Sequence, residues 1–199
     1  SASNASGREA HALGEGNLTC CSSRTLSVIW PLRGMDRAPC SANVGRRMRD
    51  SVERLLAARR KRWLRHRPVF DVYAPATSSD LSAAESHVGR ALPVDLTVWL
   101  LLVGFGDIGG HLGFCKEFFA PVTDGELKGG AQFAQDILGN LYAFPPEGEC
   151  VVFFSRSEPG YAEMAPSFRI FLEELERRDY KITDWVDSLK LLPYAWSAV

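Results

Sequence analysis

Three patterns in this sequence predict an α+β domain, with an antiparallel β-meander sheet flanked by helices. A capped helical stretch from Thr77 leads into an apolar run that opens at Leu92-Pro93. Short aromatic and β-branched runs separated by turn residues then fill Ala131 to Ser155. Finally, Phe168, Phe171, Leu172 and Leu175 repeat at helical spacing, with Glu173, Glu174 and Glu176 facing out. Blocks of helix and blocks of strand in succession are the pattern of an α+β fold.

From Val44 to His66, Met48, Val52, Leu55, Leu56, Trp63 and Leu64 recur at roughly helical spacing, with Arg46, Arg47, Arg49, Arg59, Arg60, Lys61, Arg62 and Arg65 around them. This predicts one amphipathic helix laid on the domain, ended by His66-Arg67-Pro68. A nucleic-acid arm or a membrane-surface helix is the alternative, but the polar side lacks the repeated aromatics that single-strand stacking uses. Val69 to Tyr73 alternates apolar and polar, as an extended link. Thr77 or Ser78 then caps a helix whose Leu81, Ala84 and Val88 share a face and which Gly89 stops. Asp80 and Glu85 suit its early turns. Pro93 starts the next helix, with Leu96, Trp99, Leu100 and Val103 on one side. Leu101 and Leu102 make that run apolar almost all round, which predicts a buried helix.

Gly104, Gly106 and Gly109 match the dinucleotide-binding glycine pattern. That pattern carries meaning only between a strand and a helix, and here a helix precedes it and no amphipathic helix follows. The glycines read as a helix stop and a tight turn. Gln132 to Asp136 alternates and meets Gly139-Asn140. Leu141 to Phe144, the turn Pro145 to Glu149, and Cys150 to Phe154 continue the meander. Residues 180–199, with Trp185, Tyr194 and Trp196, read as a docked tail with a short helix near Asp184.

The chain has 199 residues, 46% apolar and 24% charged, which suffices for one sizeable core. A net charge of -1 hides an asymmetry: residues 1–67 hold 14 Lys and Arg against 5 Asp and Glu, and residues 68–199 hold 9 against 19. An acidic globular part favours basic partners and disfavours nucleic acid on its main surface. The five cysteines, Cys20, Cys21, Cys40, Cys115 and Cys150, have no regular spacing. Cys115 and Cys150 sit among apolar residues and read as reduced core cysteines. No apolar run approaches the roughly 20 residues of a membrane helix, and no charged-then-apolar signal opens the chain. The expectation is a cytoplasmic protein without membrane contact. Residues 1–43, dominated by Ser, Ala, Gly, Asn and Cys, read as a flexible tail, a tag remnant or an over-long start, and 44–199 as the folded domain.

The order Ala76-Thr77, Leu81, Glu85, Leu92-Pro93, Asp95, Trp99-Leu100-Leu101, Gly109-Gly110 resembles the opening of the SUKH superfamily. Val152-Phe153-Phe154, Ala165-Pro166-Ser167-Phe168 and Phe171-Leu172 resemble its closing strand and helix. The likeness spans roughly Arg46 to Leu175 and lies mostly in apolar framework. It departs at Ile108, where that family commonly has an asparagine before the glycine pair, and the N-terminal tail has no counterpart. The resemblance implies a single SUKH-like domain that binds another protein. In bacteria that is an immunity protein neutralising a cognate toxin, often a nuclease with a basic surface. A yeast relative in cell-wall synthesis implies the alternative, an intracellular scaffold or regulatory adaptor.

The acidic side chains Asp124, Glu126, Asp136, Glu147 and Glu149 fall in or near loops and are expected to form an electrostatic rim for a basic partner. Tyr142 and Tyr161 are expected as its aromatic anchors. No nucleophile-elbow, zinc-protease or phosphate-loop pattern occurs, and the expectation is a non-catalytic protein without a cofactor or metal. His111 and Cys115 sit four apart, but three or four ligands are needed and no nearby pair completes a zinc site.

Overall fold

The computed structural model describes residues 40–62 and 65–194. The tail 1–39, Trp63, Leu64 and Trp196 lie outside the described residues. Helix α1 (Cys40–Ala57) leads into a hairpin of β1 (Arg59–Arg62) and β2 (Arg65–Pro68), then β3 (Phe70–Ala74). Helices α2 (Ser78–Val88) and α3 (Val94–Val103) follow, then β4 (Phe105–Ile108), β5 (Leu112–Phe114), a 3-10 turn over Lys116–Phe118, and β6 (Ala120–Pro121). The meander β7 (Ala131–Asp136), β8 (Leu141–Phe144), β9 (Val151–Ser155) and β10 (Gly160–Ala165) comes next. Helices α4 (Phe168–Arg177) and α5 (Ile182–Val186) and a last strand β11 (Leu192–Pro193) complete an α+β fold.

The main sheet is antiparallel throughout, in the order β11-β10-β9-β8-β7-β5-β4-β3, with β6 sharing an edge of β7 with β5. Hairpin β1–β2 forms its own two-stranded ribbon.

Local chemistry explains the helix starts. Thr77 Oγ1 accepts from Asp80 N at 3.2 Å while Asp80 Oδ2 accepts from Thr77 N at 2.9 Å, a reciprocal cap for α2. Gly89, at φ +80, ends it. Ser167 Oγ accepts from Ile170 N and caps α4. Lys116 Nζ reaches Asp80 Oδ1 at 2.6 Å, so the capping carboxylate also ties α2 to the 3-10 turn.

Two expectations are corrected. The helix expected to run to His66 stops at Ala57, and Arg59 to Pro68 is a hairpin. Ala58 N still bonds back to Arg54 O, but Ala58 O takes the bond from Val69 N at 3.1 Å that closes the hairpin base. Pro68 disfavours helical geometry at Arg67, so the second half of the basic run is extended. Helix α3 does bury Leu96, Trp99, Leu100 and Val103, but Leu101 and Leu102 are exposed, as is Val94. Its all-round apolarity therefore reflects one core face and one bare face.

The core lies between the helices and one face of the sheet. Trp99 is fully buried, with ring centroids 5.5 Å from Phe70, 4.7 Å from Phe114 and 5.6 Å from Phe168. Phe133 stacks on Phe144 and meets Phe168 edge-on. On the opposite face a smaller cluster of Ala143, Val152, Phe154 and Tyr194 packs beneath Val122 and Leu127. Covering of both faces explains why Val151 to Ser155 is buried at every position instead of alternating.

Trp99→Ala is expected to cost about 3–5 kcal/mol in urea unfolding, as for other buried aromatics. Trp99→Phe should cost less, because Trp99 Nε1 is buried without a partner and its removal breaks no hydrogen bond. A second prediction concerns pH. The Lys116 ammonium and then the Thr77 donors hold the Asp80 carboxyl down at about 2, against an ordinary 3.8. Its contribution is therefore complete above the unfolded value and is lost as pH falls through about 2. In urea melts across pH, Asp80→Asn should be weaker than wild type at neutral pH and converge with it at the acid limit.

Candidate functional site

Antiparallel register sorts the loops to two ends of the sheet. Ala131 lies opposite Phe144 and Pro121 opposite Ala131, so loops 122–130 and 145–150 emerge side by side at one end. They carry Asp124, Glu126, Glu147 and Glu149, together with the cation Lys128. Both loops are pinned. Within the first, Gly129 N donates to Val122 O at 2.8 Å and Val122 N to Gly130 O at 2.9 Å. The Tyr194 hydroxyl donates to Asp124 O from outside it. The Arg90 guanidinium, beyond the end of α2, donates to Pro145 O and, at 3.4 Å, to Gly148 O. Glu126, Glu147 and Glu149 are exposed, and none of the ion pairs among the described residues involves them. Burial and then the carboxylates of Glu126 and Asp124 push the Tyr194 hydroxyl up, so negative potential collects here.

The remaining expected site residues lie elsewhere. Asp136 ends β7 at the opposite end of the sheet, where its carboxylate is consumed by its own turn. Oδ1 accepts from Leu138 N and Asn140 N, both at 2.9 Å; Oδ2 accepts from Asn140 Nδ2 at 2.9 Å and from the Tyr142 hydroxyl at 3.2 Å. Tyr142 has no exposed surface and packs on Phe153 and Phe171, and its burial pushes the hydroxyl far up. It is a core residue, not an anchor, because its side chain points to the helix layer. Tyr161 is half-buried on the sheet's second face against Phe154 and Tyr194, not on the acidic loops.

What Asp136 supports is a rigid apolar tip. Ile137 and Leu138 are 63% and 65% exposed, yet their backbone is held by Asp136 and by Ile137 N donating to His111 O at 3.0 Å. Gly139, at φ +83, admits Arg156: a Cβ there would stand 2.6 Å from Arg156 Nη1.

The same end holds a cleft of about 390 Å³, lined by Arg60, Lys61, Arg67, Pro68, Asp71, Gly109, Gly110 and His111. Arg60 Nη1 donates to Gly109 O at 3.1 Å, which aims the guanidinium along the cleft wall. Gly109 adopts φ +65, a left-handed conformation that favours glycine, and a Cβ there would lie in contact with Arg60 Nη1 at 3.4 Å. Buried Asp107 ties the turn by accepting from Gly110 N and from the Tyr73 hydroxyl, and that bond, with burial, pushes Tyr73 up to about 12. His111 Nδ1 is buried with no hydrogen-bond partner. Among the described residues no three His, Cys, Asp or Glu side chains assemble as a metal site. Cys115 is a free thiol, and both Cys115 and Cys150 are half-buried. Gly104 ends α3, Gly106 lies within β4 and Gly109 in the following turn, so the glycine pattern has no strand-to-helix context.

No family model, curated protein or solved structure matches this chain. Sequence reasoning missed Arg90, the Ile137-Leu138 tip and the cleft. The tip had a signal: two large apolar residues inside an Asp-to-Gly-Asn turn, where polar residues are the rule. The cleft had none, because it is assembled from three separate segments.

Asp136→Ala is expected to destabilise by about 2–4 kcal/mol, since it leaves several donors without an acceptor. Hydrogen exchange should accelerate first at Leu138 and Asn140. Asp136→Asn keeps one acceptor oxygen and should lose less.

Proposed function

We propose that this domain is a stoichiometric protein-binding module acting in the cytoplasm, and that its role is to neutralise a cognate protein toxin with a basic surface. The observation that carries this reading is the convergence of Asp124, Glu126, Glu147 and Glu149 on two neighbouring, pinned loops. Loops ordered before binding lose little further freedom on association, so electrostatic attraction is not consumed in ordering them. The SUKH-like sequence order supports the choice of toxin neutralisation among protein-binding roles. In this reading the module blocks by covering its partner, and no residue of it turns over substrate.

The test is a host-lysate capture with the full chain beside a variant neutralised at four positions, D124N/E126Q/E147Q/E149Q. Wild type should retain one basic protein at equal stoichiometry, released by salt. The variant should bind it at least tenfold more weakly, about 1.4 kcal/mol. Equal capture by both proteins would overturn the proposed face. A retained partner without toxic activity on its own would overturn the neutralising role.

A further inference from the structure

We infer that the hairpin β1–β2 and the cleft at its base bind the phosphodiester backbone of a nucleic-acid strand. The first reason is the register of the hairpin itself. Arg60 lies opposite Arg67, Lys61 opposite His66, and Arg62 opposite Arg65. Like charges directly across two strands oppose pairing, and a two-stranded ribbon outside a larger sheet has little else to hold it. A polyanion laid along the ribbon removes that repulsion and turns the arrangement from a cost into a binding surface. Helix formation explains none of this, because the basic run is extended.

The second reason is the state of the cations. Among the described residues no carboxylate stands at ion-pair distance from Arg60, Lys61 or Arg67. Among the described residues Arg60 is tied to a backbone carbonyl, which orients it and leaves its charge intact. Within the cleft these three cations face one carboxylate, Asp71. Asp107 and Asp136 are nearby but are engaged by their own turns. Glu158 is exposed on the β9–β10 loop at this end. The third reason is shape: His111 and the Gly109-Gly110 turn close one wall of the cleft beside the cations. The basic ribbon beyond the cleft suits a chain of phosphates better than a single one.

The acidity of the domain as a whole does not forbid this. The acidic loops lie at the far end of strands of four to six residues, roughly 13–20 Å away at 3.3–3.4 Å per residue. That is about two Debye lengths at physiological salt. Backbone contact of this kind is independent of base sequence.

The experiment is fluorescence anisotropy on the full chain with a labelled single strand and a labelled duplex of about 20 nucleotides per strand, between about 50 and 200 mM salt. Three engaged cations predict a log–log salt slope near -2 for the single strand and near -3 for the duplex. The variant R60Q/K61Q/R67Q, with Lys61 and Arg67 on the exposed surface, should lose at least tenfold in affinity and most of that slope. Circular dichroism and thermal melting check that the variant is folded. The D124N/E126Q/E147Q/E149Q variant should bind nucleic acid as well as wild type does. Binding of inorganic phosphate alone, with no affinity for either oligonucleotide, overturns the inference. So does equally tight binding of polyglutamate, or retention of full affinity by the folded triple variant. Loss of this activity leaves the acidic face untouched, and the capture experiment above reads that face separately.

Discussion

Trp99 stands where the two layers of the domain meet. Its indole touches Phe70 of β3, Phe114 of β5 and Phe168 at the start of α4, so one side chain joins a sheet edge, the sheet interior and two helices. Phe168 in turn meets Phe133, and Phe133 stacks on Phe144, which carries the contact across β7 and β8. Rings at these spacings interlock as solids rather than sliding past one another. That lock fixes β3, β5, β7 and β8 against α3 and α4, and with them the turns those strands enter.

A sheet covered on both faces has little surface left for recognition except its ends and the bare sides of its helices. The helix layer occupies one face, and loop 122–130 with Tyr194 covers the other over β8, β9 and β10. Function is thereby pushed to the turns. At one end these carry carboxylates, and at the other a basic ribbon, a cleft and a rigid apolar tip. The strands between them keep the two sets of charge about two screening lengths apart, so opposite potentials coexist on a small body without cancelling.

The fold was largely legible in the sequence because its signals are local. Thr77, Asp80 and Gly89 mark the ends of α2, Ser167 caps α4, and the aromatic runs of β7 to β9 are interrupted by turn residues. The basic segment misled because Met48, Val52 and Leu55 are truly helical, and nothing local marks Ala58 as the end of the period. The bond from Val69 to Ala58 that closes the hairpin spans eleven residues of chain and is invisible to any short pattern. Of the expected rim, the exposed loop acids were readable from turn composition. Asp136 was not separable from them by residue type, since only three-dimensional register places its carboxylate under four donors. Tyr142 was misassigned for a related reason: in a strand covered on both sides, alternation no longer tells which residues face water.

Ion pairing distinguishes the charges that hold this domain together from those left to act on something else. On the helices several charges cancel in pairs, Arg54 with Glu176, Arg169 with Glu173 and Arg177 with Glu174, which ties α1 to α4 and laces α4 itself. At the sheet ends two arginines hold loops by another route. Arg90 donates to the carbonyls of Pro145 and Gly148, and Arg60 to the carbonyl of Gly109. A guanidinium bound to a carbonyl fixes backbone through a charge-assisted bond, yet it neutralises no carboxylate. Had Arg90 paired with Glu147 or Glu149, the loop would be equally ordered and the acidic end weaker. Had Arg60 paired with Asp71, the cleft would keep its shape and lose most of its field. Stabilisation through carbonyls therefore orders both ends: at the cleft it leaves the Arg60 charge in the field, and at the other end Arg90 offsets part of the charge of the loop acids that outnumber it.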